Sequence, residues 1–381
     1  MANTDTTALA GLVKVAYDRY VEFALRSQPL VRSVADKRPA QQAMPGSSVV
    51  FSLYNDLAAA TSALSEATDP DAVALSDVST TSVTLAEYGN ASLVTRKLQL
   101  FSLSDVDPAV ADIIAFNMAD SLDKLAMETL RQGTNVIYGG SVTSTATVSS
   151  ADTLTSAKIR RAVAKLRSNK AVPRQGSLYW AGIHPEVSHD LRAETGSVGW
   201  RDIHAQTDSA QGNLWAGTIG TYEGAFFVET PRMYEKAEGA NQSTFTTTTA
   251  ASGSSGTTTI TVASTSGIDV GDGVAISATT GASTLVSAIN GAVLTLSVAT
   301  TAAVTSAATV TITPKTNVYR TILCGKQALA EAVAQEPGVV IGPVTDKLMR
   351  FRPIGWYGVL GFARYRDDAL FRIETSSSIS D

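Results

Sequence analysis

Apolar positions recur along this chain with two different periods, and the change from one to the other divides it. Residues 4 to 27 carry Leu9, Leu12, Val13, Ala16, Tyr20, Phe23 and Ala24 at spacings of three and four, which predicts an amphipathic helix ending before Pro29. The next segment, "ADKRPAQQAMPGSS", has no period and holds Pro39, Pro45 and Gly46, so it predicts an extended arm. "SVVFSLYNDL" (48–57) reads as a strand and "SVTLAEYGNASLVTRKLQL" (82–100) as its long partner. Between them Glu66, Asp69, Asp71 and Asp77 gather in a turn-rich acidic tip. The whole predicts a long hairpin arm, which is marginally stable alone and needs another surface to lie on.

The clearest helical pattern is "DPAVADIIAFNMADSLDKLAMETLRQG", with Asp107 as its cap, Pro108 at its first position, Gly133 as its stop and an apolar stripe of Val110, Ile114, Met118, Leu122 and Leu125. A Ser/Thr/Gly-rich linker (139–151) leads to a second helix (155–168) whose neighbourhood is purely basic: Lys158, Arg160, Arg161, Lys165, Arg167, Lys170 and Arg174. Such a face is either solvated or an interaction patch for an acidic neighbour. Residues 177–236 mix strands ("SLYWAGI", "AFFVET") with short helices and turns. Across 241–316 the period becomes two, and only Asp269, Asp272 and Lys315 are charged. Alternating runs separated by Gly-containing turns, with an Asn-Gly hairpin signal in "ING" (289–291), predict about five strands closing into a small barrel or sandwich. For 243–256 alone, low-complexity disorder competes. Ordinary globular composition on both flanks marks 241–316 as an insertion at an exposed loop tip. The C-terminus reads as two or three strands and a polar tail.

The 381 residues suffice for two or three domains, and 44% hydrophobic with 17% charged residues describes a folded, soluble chain. A net charge of −5 is not the footprint of a protein that neutralises many phosphates. One cysteine, Cys324, cannot form an internal disulfide, which suits a reducing cytoplasm. "MANTDTTALAG" does not read as a signal peptide, and no stretch has the roughly 18 apolar residues a membrane span needs.

The densest candidate chemistry is "IHPEVSHDLRAETGSVGWRDIH" (183–204), which holds all three histidines. Zinc proteases place two histidines four apart on one helix, whereas His184 and His189 are five apart. Pro185 fits a first helical turn, so His184 is predicted to cap a helix that carries Glu186 and Asp190 on one face, exposed or near a basic partner such as Arg192. There is no G-x-S-x-G elbow, and Lys326 in "CGKQAL" lacks the flanks of a phosphate loop and marks the start of a helix. "GDG" (271–273) reads as a turn, and Cys324 as a buried small hydrophobe. No catalytic constellation emerges.

An N-terminal arm, a long hairpin, a strut helix, a mixed α/β domain and C-terminal strands together resemble the major capsid proteins of tailed double-stranded DNA bacteriophages, whose fold also forms the herpesvirus capsid floor. The ordered blocks "AEYGNASLVTRKLQLFS", "IHPEVSHDLRAETGSVGW", "GTIGTYEGAFFVET", "LCGKQAL" and "DKLMRFRPIGWYG" resemble the family named after the capsid protein of the coliphage that packages its own virion RNA polymerase. The resemblance implies an α+β fold: N-terminal arm (1–47), extended hairpin loop (48–101), peripheral domain with a spine helix (102–152 and 348–381) and axial domain (153–240 and 317–347), interrupted by the 241–316 module. It implies hexamers and pentamers in an icosahedral shell around DNA that is enclosed without sequence-specific binding. Portal, scaffold and decoration proteins would be further partners, with assembly in the host cytoplasm, residence in the virion capsid, and no catalysis, cofactor, metal or membrane. His184, Trp200, Gly355 and Trp356 become scaffold residues. Rings close by heterologous contacts, for which the acidic tip (Glu66, Asp69, Asp71, Asp77) and the basic helix (Lys158, Arg160, Arg161, Lys165) are complementary. A competing class is a β-rich adhesin or glycan-binding structural protein, although Phe245 is the only aromatic residue in 241–316. A metallohydrolase is the third class, and would bind zinc.

Overall fold

The computed structural model describes residues 29–39, 48–53, 79–101, 106–194, 218–233, 235–276, 284–343 and 350–379, together with 57, 59–61, 63, 66 and 348. The helix expected at 4–27 lies outside them.

Two sheets and one long helix form the body. The larger sheet runs Val136–Tyr138, Leu370–Thr375, Lys315–Cys324, Tyr179–Ile183, Ala225–Glu229, Thr218–Tyr222, and a seventh strand, Glu235–Asn241, pairs with the first part of Lys315–Cys324. Successive side chains of a strand point to opposite faces, and here both faces are covered. Tyr179, Ala181, Ile183, Phe227 and Leu323 share a core with Ile159 and Leu166 of helix Ser156–Ser168 and Val187 and Leu191 of helix Pro185–Ala193. Trp180, Phe226, Val228 and Ile322 share another with Ala126, Met127 and Leu130 of the long helix. Strands buried on both faces need apolar residues at every position, hence the unbroken "YWAGI" and "AFFV".

The smaller sheet runs Asp36–Pro39, Leu329–Ile341, Phe351–Arg364, Ala86–Thr95. The long helix, Val106–Leu130, has 25 residues and spans about 37 Å at 1.5 Å per residue. It joins the sheets: Ile114, Met118 and Leu122 pack on Val94, Ile354, Trp356 and Leu360 of the smaller one, and its last turns reach the larger. Asp107 and Pro108 lie inside its first turn, and the apolar stripe continues through Ala126 and Leu130, leaving Leu125 half-buried. At Gly133 an added Cβ would stand 2.8 Å from the Leu370 side chain, so glycine lets the chain leave the helix hard against the larger sheet.

Several expectations are corrected. Among the described residues Ser48–Leu53 pairs with Ser79–Thr84 alone; the predicted partner strand 82–100 divides at Leu85, Ala86–Thr95 joins Phe351–Arg364, and Arg96–Phe101 is helical. The hairpin base lies on its own chain, with Phe51 and Val83 packed on Ala330, Ala332 and Tyr365. Part of the presumed arm is a sheet strand: Asp36–Pro39 runs parallel to Leu329–Ile341, beside the buried turn Val31–Val34. Lys326 starts no helix. It sits with Gln327 (φ 64°) in the turn before Leu329–Ile341, and "ALAEAVA" is extended because its alanines fit beneath the hairpin and against the spine helix. The sheets also divide the chain differently from the expected boundaries, since Leu329–Ile341 belongs to the smaller sheet and Leu370–Thr375 to the larger.

The 241–316 segment folds as a unit. Phe245–Thr248, Thr309–Thr313 and Gly273–Ile276 form one three-stranded sheet, and Thr259–Thr261, Val293–Leu296 and Val286–Asn290 another, six strands rather than five. The bridges Thr249↔Val262 and Gly273↔Leu285 join the sheets at both seams, giving a small barrel around Ile260, Val274, Leu294, Val310 and Ile312. Asn290-Gly291 makes the predicted tight turn, with Gly291 at φ 58°. Residues 243–256, for which disorder competed, are placed, with Phe245–Thr248 in the barrel. Its two ends are neighbours: Asn241 pairs with Lys315, so the barrel stands on the tip of a two-strand stem.

Candidate assembly surfaces

The described part of the histidine stretch, residues 183–194, makes its contacts within the chain. His184 has extended backbone (φ −76°, ψ 145°) and its Nδ1 accepts from the Glu186 N–H at 3.4 Å, with Pro185 at the first helical position. Its ring stands 4.9 Å from that of Tyr319, and burial lowers its pKa, which favours the neutral ring an Nδ1 acceptor requires. The expected pairing of Arg192 with Glu186 or Asp190 is replaced. Glu186 accepts from the Tyr319 hydroxyl, and Asp190 from the Ser378 N–H at 2.8 Å and the Ser378 hydroxyl. Arg192 instead pairs with Glu229 at 3.0 Å. His204 and Trp200 lie outside the described residues. Among the described residues no three His, Cys, Asp or Glu side chains converge as a metal would need, and no helix is long and apolar enough to cross a membrane.

Helix Ser156–Ser168 buries Ile159, Ala162, Val163 and Leu166 and turns its basic residues outward. Four of one sign remain on a single face because their apolar neighbours at i±3 and i±4 claim the other. Two of the candidate contacts are tied to their own chain: Lys158 Nζ donates to the Gly140 carbonyl at 2.6 Å and Arg160 lies 3.5 Å from Glu223. Arg161 and Lys165 are exposed and have no ion-pair partner among the described residues. Sequence reasoning missed the acid that starts this helix: Glu194 accepts from the Ser156 N–H at 2.9 Å and its hydroxyl at 3.0 Å, a favourable place for negative charge. Of the acidic tip, Glu66 is in an exposed turn, while Asp69, Asp71 and Asp77 lie outside the described residues. The two sets are not joined within one copy by any described contact.

Gly355 sits where an added Cβ would stand 2.8 Å from the Asn90 carbonyl, so it lets Phe351–Arg364 approach Ala86–Thr95. Its neighbour Trp356 is buried and donates from Nε1 to Asn117 of the spine helix at 2.9 Å, satisfying the indole N–H. Also unforeseen is a run of exposed apolar side chains where the smaller sheet meets the next helix: Leu93 is 61% exposed, Leu100 72% and Phe101 80%. Monomeric proteins rarely leave such residues together in water. Their sequence signal, apolar positions on both faces of "SLVTRKLQLF", was absorbed into the strand reading. On the barrel, Phe245 packs against the module's own core, so it forms no exposed stacking platform for a sugar.

This architecture is that of the tailed-phage major capsid proteins. The chain aligns with the capsid of Ralstonia phage GP4 at a TM-score of 0.62 and 12% identity over 96% of both chains, with the cyanophage Pam1 capsid at 0.62 and 13% over 99% and 100%, and with the Helicobacter pylori bacteriophage KHP30 capsid at 0.60 and 13% over 99% of both. The family model for phage capsid proteins matches residues 126–379, and the chain belongs to that family. It is a major capsid protein, a structural subunit of a phage shell. No curated protein sequence matches it significantly.

Proposed function

We propose that copies of this chain close into the hexamers and pentamers of an icosahedral shell that encloses double-stranded DNA without reading its sequence. The shell would assemble in the host cytoplasm with portal, scaffold and decoration proteins. The phage group is that of the coliphage capsid protein named for a virion-packaged RNA polymerase, on the strength of the five ordered sequence blocks. In this reading the larger sheet with its two helices is the axial domain, and the smaller sheet with the spine helix is the peripheral domain. The observation that carries it is the family match over 126–379 on a chain whose whole described fold is a capsid subunit's. The surfaces support it: Arg161 and Lys165 of the basic helix face are exposed with no ion-pair partner among the described residues, and Leu93, Leu100 and Phe101 of the apolar elbow stand exposed in one copy. Opposite charges on different patches orient copies head to tail, which closes rings. Sedimentation of the chain expressed without other phage proteins tests the reading. Shell-sized species at assembly conditions are expected; a species of 39.8 kDa at every concentration and salt would refute it.

A further inference from the structure

The barrel meets the body at more than its two chain ends. Its stem is packed on backbone: the Ala240 N–H donates to the Val148 carbonyl at 2.8 Å, and at Gly239 an added Cβ would stand 2.6 Å from that same oxygen. The Asp269–Gly273 turn of the barrel then comes down on the stem strand Glu235–Asn241. Gly271 has φ 115°, a backbone conformation that favours glycine, and an added Cβ there would stand 2.5 Å from the Ala237 carbonyl oxygen. Two independent demands for glycine at one position mark a close seat rather than a loose loop.

The next residue enters the junction. Asp272 is 1% exposed. Its backbone belongs to the barrel, its N–H donating to the Asp269 carbonyl at 3.2 Å and its carbonyl accepting from the Val286 N–H at 2.9 Å. Its carboxyl spans the seat: Oδ2 accepts from the Asp269 N–H within the turn, and Oδ1 from the Lys315 N–H at the head of the stem. Both donors are neutral backbone groups, and among the described residues Asp272 has no ion pair. Of the ionisable side chains around it, Asp269 of the same turn opposes its negative charge and Lys315 of the stem favours it. On the other stem strand Lys236 and Glu238 pair with each other at 2.8 Å, and Glu238 with Arg320. A buried carboxylate without an ion-pair partner loses its hydration uncompensated. Burial accordingly raises the pKa of Asp272 above its ordinary 3.8. At the junction a cleft of about 630 Å³, lined by Ser149, Ser150, Asn241, Gln242, Ser243 and Thr316, leaves the barrel room to tilt.

We infer that Asp272 is a proton-sensitive key: it locks the barrel to its stem at one angle, and the lock tightens when the carboxyl takes up a proton. Tilting the barrel off its seat returns the carboxyl to water, where it ionises as an ordinary aspartate. The seated form therefore keeps the proton over a range of pH in which the tilted form has released it. The added stability of the seat is whole below pH 3.8 and is lost as the pH rises through the seated value. A neutral carboxyl can still accept through its carbonyl oxygen, and it no longer carries a buried charge. Near neutrality the barrel is held more loosely and can adapt to what it meets; in acid it points in a fixed direction. The device belongs to a single copy and does not depend on assembly.

Hydrogen exchange of the full chain, read by mass spectrometry on peptides containing Lys315, tests it, with peptides covering the interior strand Tyr179–Ile183 as internal reference. After correction for the pH dependence of chemical exchange, protection at Lys315 relative to the reference is expected to be about threefold or more higher at about pH 4 than at about pH 7. Asp272→Asn, neutral at both, is expected to give a flat ratio. Asp272→Ala, which leaves the Asp269 and Lys315 N–H groups without their acceptor, is expected to lower protection at both while the larger sheet keeps its thermal transition. A flat ratio in the parent chain overturns the inference whatever the variants do. An Asn variant that keeps the parent's pH response overturns it too, because another group then sets the response. So does an Ala variant with the parent's protection, because the carboxyl then locks nothing.

Discussion

Glu374 has no exposed surface and belongs to an ion-pair cluster on the larger sheet. Across the pair of strands it faces Arg320, whose Nε donates to it at 2.9 Å, while Arg320 Nη2 reaches Glu238 at 2.8 Å and the Arg372 guanidinium lies 3.2 Å from Glu374. A buried ion pair adds little net stability over apolar packing, but removing one member strands the other's charge in the interior. Arg320→Ala is therefore expected to cost about 3–5 kcal/mol in denaturant unfolding of the subunit. Cys324 shows a different case, a titratable group buried in an apolar cluster. Burial pushes its thiol from an ordinary 9.0 up to about 12. The folded chain thus keeps the proton where the unfolded chain releases it. The thiol's contribution to stability is whole below pH 9 and is lost above it, at up to about 1.4 kcal/mol per pH unit. At pH 8 the native protein is expected to take up no iodoacetamide and the denatured protein one equivalent per chain. Labelling of the native chain at the denatured rate would contradict this burial.

At the scale of elements, what could be read from the chain was local. The spine helix carries its own period and its own stop, and the barrel strands alternate without help from elsewhere, so both were legible. Leu329–Ile341 was not, because Ala and Glu favour helices intrinsically and only distant partners, the hairpin and Phe351–Arg364, hold this strand extended. Nor could sequence place Arg32 against Glu331, a contact between residues 299 positions apart. Of the candidate contacts, the basic helix face was visible from its spacing, whereas the place of Ala86–Thr95 at the edge of the smaller sheet among the described strands is a property of the whole sheet. The stem of the barrel gives a prediction at this scale. Asp272 is buried at its foot, accepting from the Asp269 N–H at 2.8 Å and the Lys315 N–H at 2.9 Å, and Asn241 pairs with Lys315 where the two stem strands end. Replacing 242–314 by a short Asn-Gly turn is expected to leave the larger sheet folded, with circular dichroism showing a cooperative transition within a few degrees of the parent's. Loss of that transition would mean the barrel is part of the core rather than mounted on it.

The whole molecule combines a net charge of −5 with a basic helix face, so its charges are segregated. Contacts between acidic tip and basic helix would orient neighbours and weaken with salt. Glu66→Lys, Asp69→Lys and Asp71→Lys together are expected to impair particle formation at low ionic strength, and Arg161→Glu with Lys165→Glu in the same chain to restore it in part. A normal yield from the triple variant, in a light-scattering assay of assembly, would remove this contact from the account. The central claim, that the polypeptide tiles with itself, is tested most directly by electron cryomicroscopy of the assembled chain. The account predicts closed shells of uniform diameter whose surface resolves into rings of five and six subunits, each bearing a small barrel per copy. Isolated compact subunits, or open filaments that never close, would contradict it.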